Sequence, residues 1–234
     1  MDWQQQIALD AGQVSVANAA VDERLVFLRK TYMLVLTGLG VAAAGGYMGA
    51  QALLPYVTQY WWAFFIAYFA GFLAVRAMRK VPGLNYVGLF GFTFLCGLIL
   101  GPLLYIAIQM ANGQPTIVIQ ALVITGSAIT GLSAYVLITK KDFSFLGGML
   151  SMGALLLLGM IVVGFFWGSF TFHLMYSFFG AVLFCGFILY DTSRIMKTHP
   201  VDDPVGAALD LFLDFFLLFM YVLRILVMLA SGRD

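Results

Sequence analysis

The chain has 234 residues, of which 62% are hydrophobic and only 10% are charged. A soluble domain carries about 25% charged residues, so this composition excludes an ordinary soluble protein and indicates an integral membrane protein. The formal net charge of +1 excludes the strongly basic surface that nucleic-acid binding requires, and we expect no nucleic-acid partner.

The chain begins with a polar stretch and continues with apolar ones. We expect a polar tail over residues 1–23, which lacks the features of a signal peptide, and a membrane domain over 24–234. Seven stretches of that domain are apolar and long enough to cross a bilayer. They are predicted at about residues 31–50, 61–78, 84–108, 116–138, 143–167, 172–196 and 205–230.

The basic residues indicate the orientation of these spans. All but two of the twelve Lys and Arg residues lie in the tail or in the loops after spans 2, 4 and 6. The loops after spans 1, 3 and 5 carry no charge. Because positively charged loops stay on the cytosolic side, we expect a cytosolic N-terminus in a multi-pass protein surrounded by the lipid bilayer.

Span 7 is unusual because it carries charged and polar residues on one face. At roughly 100° per residue on a helix, Asp210, Asp214, Tyr221 and Arg224 fall on one stripe about 80° wide. A charged side chain that faces lipid costs at least about 2.5 kcal/mol, so such residues usually face protein or water. We therefore predict an all-α bundle in which six spans surround a central C-terminal helix.

Span 6 carries a carboxylate that can meet those of span 7. Counted from the cytosolic ends of their helices, Asp191 and Asp210 each lie six residues in and Asp214 lies ten residues in. Two carboxyl groups in contact at a dry site cannot easily both ionise, so they would share a proton. The alternative is that Asp191 is a solvated residue at a helix end, beside Arg194.

Two arginines have a functional and a simpler interpretation. Arg76, near the cytosolic end of span 2, could latch onto these carboxylates as a forked ion pair. Alternatively, it snorkels to the membrane surface like other basic residues, which is also the expectation for Arg224 near the exterior end of span 7. His199, in the linker between spans 6 and 7, is expected to be exposed to solvent.

The sequence lacks the motifs of the common enzyme classes. It contains no Walker motif, no dinucleotide-binding fingerprint and no Cys or His spacing typical of a metal site. We therefore expect neither enzymatic activity nor a resident cofactor.

Three segments resemble the Bax inhibitor-1 family of seven-span membrane proteins: FLRKTYMLVLTGL (27–39), LYDT (189–192) and LFLDFFLLFMYVLRIL (211–226). The resemblance covers about residues 25–230. It implies that Asp191 and Asp214 form a di-aspartyl unit linked to a pH-sensitive calcium leak, with a span-2 arginine as latch. Arg76 is the nearest candidate for that latch, and Asp210 is an added carboxylate where the family usually has a neutral residue.

The favoured function is a passive cation leak in which calcium ions pass transiently. Because calcium prefers six to eight oxygen ligands, Asp191 and Asp214 are expected to form a weak transit site for this ion. One alternative is a non-conducting stress-response protein that restrains a membrane protease or another membrane partner. Another is a small-metabolite or proton-coupled transporter, which is disfavoured because the sequence contains no internal repeat.

Overall fold

The computed structural model describes residues 15–79 and 81–232, so most of the predicted tail, residues 1–14, lies outside the described residues. Within the described residues the chain forms eight helices. They are α1 (Val21–Gln51), α2 (Leu54–Gln59), α3 (Trp61–Met78), α4 (Leu84–Met110), α5 (Thr116–Thr139), α6 (Leu146–Trp167), α7 (Phe170–Lys197) and α8 (Pro204–Ser231).

All of these helices except the short α2 are long and apolar enough to cross a membrane, which confirms the predicted all-α fold with seven spans. Most predicted bounds agree with the helices to within about three residues. The exception is α1, which begins at Val21, ten residues before the predicted span. Asp22 and Glu23 in its first turn favour a helix N-terminus, so the helix extends beyond the apolar stretch.

Helix α8 lies at the centre of the bundle. In its most apolar stretch 56% of the residues are buried, compared with 6% in α3 and 11% in α6. It packs against α1, α4, α5 and α7, while α3 packs mainly on α4 and α6 packs mainly on α7. The charged stripe of α8 is therefore enclosed by protein, as its sequence predicts.

Helices α1 and α4 approach each other through glycines. A methyl group on Gly97 of α4 would overlap the carbonyl oxygen of Ala42, and one on Gly101 would overlap the backbone of Gly49. Small residues of this kind allow membrane helices to pack backbone against backbone. The two helices form a close pair that supports one side of α8.

The linker between α7 and α8 is held by residues that precede α1. The backbone N–H of Val16 donates to the carbonyl oxygen of His199 at 2.9 Å, and Val16 is fully buried. The prediction that His199 is exposed is wrong: it is 8% exposed and its ring lies 5.9 Å from that of Phe27. Asp203 then accepts a 2.8 Å hydrogen bond from Gly206 N–H and caps α8. These contacts fix the start of α8, and with it the depth of its carboxylates.

Candidate functional site

Helices α7 and α8 bring two carboxyl groups together inside the bundle. Asp191 of α7 is 8% exposed and Asp214 of α8 is 4% exposed. Their side chains lie within hydrogen-bonding reach of each other. The short linker places the two helices side by side, so residues at a similar distance from it can meet. The carboxyl groups thus lie together at a similar depth, and Asp191 is not a solvated residue.

The surroundings of Asp214 show what holds the two side chains together. Its Oδ2 atom is buried and accepts no hydrogen bond from an N–H or hydroxyl group in the described part of the chain. Two ionised carboxylates have no hydrogen to share, so a hydrogen bond between Asp191 and Asp214 requires a proton on one of them. A pair that shares one proton can therefore be held together by such a hydrogen bond.

Two arginines and a third carboxylate extend this pair towards the surface. Arg194 Nε lies 3.3 Å from Asp191 Oδ1, although its N–H is not aligned for a hydrogen bond. The Nη2 atom of Arg194 donates to Asp210 Oδ2. Arg76 Nη2 in turn lies 3.4 Å from Asp210 Oδ1. The side chains form a continuous chain of contacts in the order Asp214, Asp191, Arg194, Asp210 and Arg76, which we call the carboxylate cluster.

The carboxylate cluster is electrically balanced when it holds one proton. It contains three carboxyl groups and two guanidinium groups, so one shared proton brings its formal charge to zero. Loss of that proton leaves one uncompensated negative charge inside the bundle, and a second proton leaves one positive charge. A net charge in a membrane interior costs free energy. The number of protons that the cluster binds therefore affects the stability of the helix packing around it.

A polar cavity of about 700 Å³ opens beside the cluster at the end of the bundle that carries the basic loops. Arg194 and Asp210 are among its lining residues, whereas Asp191 and Asp214 are not. The ion pair of Arg194 with Asp210 therefore lies between the cavity and the buried carboxyl groups.

The rest of the stripe on α8 contacts α7. Tyr221 is 3% exposed, and its ring stacks on Phe184 with 5.8 Å between centroids. Arg224, which was expected to snorkel, instead places Nη2 3.3 Å from His173 Nδ1 and its guanidinium 4.6 Å from the Tyr176 ring centroid. An arginine can only donate, so His173 Nδ1 is the acceptor. Between the carboxyl pair and Arg224, Tyr221 and Phe184 fill the contact between the two helices.

The carboxyl pair could offer a cation four oxygen atoms. Calcium takes six to eight oxygens when it is tightly bound. The described residues include no group of three or more His, Cys, Asp or Glu side chains placed to hold a metal ion. The donor set of Asp191 and Asp214 suits brief contact with a passing cation that keeps part of its water.

The arginine in contact with the pair is Arg194, which sequence reasoning considered only as a neighbour of Asp191. In the sequence, Arg194 follows Asp191 by three residues. Residues three apart on a helix lie on the same face, so this spacing indicates that the two side chains can contact each other. Arg76 reaches Asp210, and neither Asp191 nor Asp214 has an ion pair with Arg76 among the described contacts. The assignment of Arg76 as a latch on the pair stays a prediction.

Comparison with known proteins identifies one family over most of the chain. A family model described as "Inhibitor of apoptosis-promoting Bax1" matches residues 24–231, a range that contains the whole carboxylate cluster. An uncharacterized protein of Campylobacter jejuni is 34% identical over 212 residues, which cover 89% of this chain and 91% of that protein.

Eukaryotic relatives match over similar lengths. Bax inhibitor 1 of Schizosaccharomyces pombe is 33% identical over 227 residues, which cover 94% of this chain and 82% of that protein. Protein lifeguard 4 of Mus musculus is 32% identical over 217 residues, which cover 90% and 88% of the two chains. The range of the family model, residues 24–231, includes residues of all seven long helices.

Proposed function

Because the chain belongs to the Bax inhibitor-1 family and is a multi-pass membrane protein, we propose that it is a passive, pH-sensitive cation leak. Calcium is the proposed ion, and the pair of Asp191 and Asp214 is the proposed gate. The proposed location is a bacterial inner membrane with the N-terminus in the cytosol. No chemical reaction is part of this function.

The observation that carries the proposal is the buried pair of carboxyl groups on the central helix. Asp214 lies on α8, which contacts four other long helices. A change in the charge or hydrogen bonding of Asp214 therefore affects the helix at the centre of the bundle. A hydrogen bond between Asp214 and Asp191 depends on a proton on one of them. The pair therefore links the pH of its surroundings to the packing of α7 against α8.

Loss of the shared proton replaces this hydrogen bond by repulsion. Two negative charges about 4 Å apart repel by about 4 kcal/mol at an effective dielectric constant of about 20. A second proton, by contrast, leaves a neutral pair that still hydrogen bonds. We therefore expect the leak to increase as pH rises between about 5 and about 8, and acid to favour the closed packing.

The cavity and its ion pair give the cation a route. When Asp191 and Asp214 are both ionised, their negative charge attracts Arg194 more strongly and weakens its bond to Asp210. The cavity then connects with carboxylate oxygens that attract a cation. In this mechanism the ion pair of Arg194 with Asp210 closes the entrance while Asp191 and Asp214 share a proton, and the entrance opens when this ion pair breaks.

Calcium flux into liposomes tests the proposal. The purified protein is reconstituted in vesicles that contain a calcium indicator, and flux is recorded from pH 5 to pH 8. Wild-type protein is expected to conduct more at pH 8 than at pH 5, and the double variant Asp191→Asn with Asp214→Asn is expected to lose this difference. A folded protein without flux at any pH excludes the leak, and a double variant with wild-type pH dependence excludes the pair as gate.

Asp142→Asn provides a matched control for these substitutions. Asp142 lies in the loop between α5 and α6, where hydrogen bonds from Ser144 and Lys197 lower its pKa to about 2. A carboxyl group with a lowered pKa titrates only in acid and stays ionised throughout pH 5–8. The control removes one carboxylate without touching the pair, and its pH profile should match that of the wild type.

A second function is supported by the names of the matching proteins. "Inhibitor of apoptosis-promoting Bax1" and "Bax inhibitor 1" describe inhibition rather than transport. The corresponding proposal is a non-conducting protein that restrains a membrane partner such as a protease. Absence of calcium flux, together with a membrane protein that co-purifies with the chain, would favour this function over the leak.

A further inference from the structure

Helices α1 and α5 enclose a groove at the end of the bundle opposite the carboxylate cluster. Both helices pack on α4 and α8, and a cavity of about 320 Å³ lies between them. Its mouth faces outward, where Tyr47 and Leu122 are 69% and 55% exposed. Its floor includes Phe216, which is 6% exposed, and Phe219, both from the central helix α8.

The groove is lined by apolar side chains except for Gln51 at one end, and no charged residue in the described part of the chain lines it. Small residues such as Ala43 and Gly46 form its α1 wall, while Val118 and Leu122 form its α5 wall. Because these helices cross the membrane, the mouth opens into hydrocarbon rather than water. An apolar recess in this position is suited to the hydrocarbon chain of a lipid.

The dimensions of the groove match a single chain. Its α1 wall extends from Leu39 to Gln51, twelve residue steps or about 18 Å along a helix. One half of the hydrocarbon core of a bilayer is about 15 Å thick, which is the depth reached by one acyl chain.

The two ends of the groove differ in polarity. Gln51 is the last residue of α1 and Pro115 precedes the first residue of α5, so the helix ends near these residues mark the membrane surface. From there the lining becomes wholly apolar towards Leu39 and Phe216. A molecule with a polar head and an apolar tail would therefore enter tail first, with its head beside Gln51.

We propose that this groove binds one acyl chain of a membrane phospholipid, with the headgroup at the ends of α1 and α5. The chain contacts Phe216 and Phe219, on the same helix as Asp214. Phe216 also stacks on Phe212 with 5.6 Å between centroids, so the lipid supports the packing of α8 from the side opposite α7. This inference does not depend on the leak, because it concerns binding alone.

Photocrosslinking in nanodiscs tests the site. The full chain is reconstituted in phosphatidylethanolamine and phosphatidylglycerol, with a small fraction of phosphatidylethanolamine that carries a diazirine on one acyl chain. After illumination, labelled residues are identified by mass spectrometry. Labels are expected on Phe216 and Phe219, because lipid outside the groove does not reach the floor. Labels confined to outward-facing residues of α3 and α6 would overturn the proposal.

Two pairs of variants decide whether labelling of the floor comes through the groove. Ala43→Trp and Leu122→Trp fill it from opposite walls, while Ala70→Trp and Leu155→Trp make the same changes at exposed positions outside the groove, on α3 and α6. The groove variants should lose most of the labelling of the floor, because the indole ring occupies the space that the acyl chain would take. The controls should keep wild-type labelling. If either folded groove variant also keeps it, the proposed site is wrong.

Discussion

Asp214→Asn separates the charge of the carboxyl pair from its shape. Asparagine has nearly the same size as aspartate, and its NH2 group can donate to Asp191 without a shared proton. The remaining ionisable groups of the cluster in the variant are Asp191, Asp210, Arg194 and Arg76, whose formal charges sum to zero without a shared proton. We therefore expect the variant to keep the closed packing of α7 against α8 across this range.

The size of the effect follows from the repulsion that the substitution removes. In the wild type, two charges about 4 Å apart contribute about 4 kcal/mol against the closed packing once the proton leaves. This energy corresponds to nearly three powers of ten in a two-state equilibrium, at about 1.4 kcal/mol per factor of ten. Water in the adjacent cavity screens part of it, so we expect calcium flux at pH 8 to fall at least about tenfold. At pH 5 the variant and the wild type should differ little.

The assay is calcium entry into liposomes, with Asp142→Asn measured in parallel. Size-exclusion profiles and thermal unfolding show whether each variant is folded. The wild type and Asp142→Asn should have the same pH dependence, while folded Asp214→Asn should give low and constant flux. If Asp214→Asn increases its flux with pH as steeply as the wild type, the proton on the pair does not control the leak.

Further predictions concern the neighbours of the pair, the packing and the topology. Asp210→Asn should leave the leak in place and move its pH midpoint lower in the same flux assay, because the substitution removes a negative charge near Asp191 and Asp214. Complete loss of flux in a folded protein would make Asp210 the centre of the gate. Arg194→Gln should move the midpoint higher by about one to three pH units, because a nearby cation favours the ionised carboxylate; an unchanged midpoint would separate Arg194 from the pair. Gly97→Ala should destabilise the protein by about 1–3 kcal/mol, seen as a lower melting temperature, because its methyl group overlaps the backbone of α1. The control Gly126→Ala meets no atom within 4 Å and should melt like the wild type. A reporter fused before Met1 should be active in the cytosol, and activity only outside it would reverse the proposed orientation.

The spans and the central position of α8 could be predicted from the sequence. Each crossing requires about 20 apolar residues, so the pattern of hydropathy determines the helices. Asp210 and Asp214 in such a stretch require a protein environment, which predicts that α8 is enclosed. The similar depth of Asp191 and the carboxylates of α8 follows from counting residues along two helices joined by a short linker.

The contacts around these residues could not be predicted in the same way. Arg76 and Arg194 both lie at the correct depth for the carboxylates, and residue counting does not show which of them faces the pair. The rotation of α7 and α8 about their axes decides this, and it places Arg194 against Asp191 while Arg76 reaches Asp210. The same rotation places Arg224 in contact with His173 and Tyr176.

Composition and periodicity thus determined which segments cross the membrane and which face of α8 avoids lipid, because both depend on the local cost of exposing groups to hydrocarbon. The tertiary structure alone decided the partners of each polar group and the groove between α1 and α5. It also decided the burial of His199, whose carbonyl oxygen accepts a hydrogen bond from the N–H of Val16. These features depend on how helices distant in sequence rotate, tilt and approach each other. Close backbone packing, such as that between Gly97 and Ala42, sets that geometry, and it arises from the fit of whole surfaces rather than from any single stretch of residues.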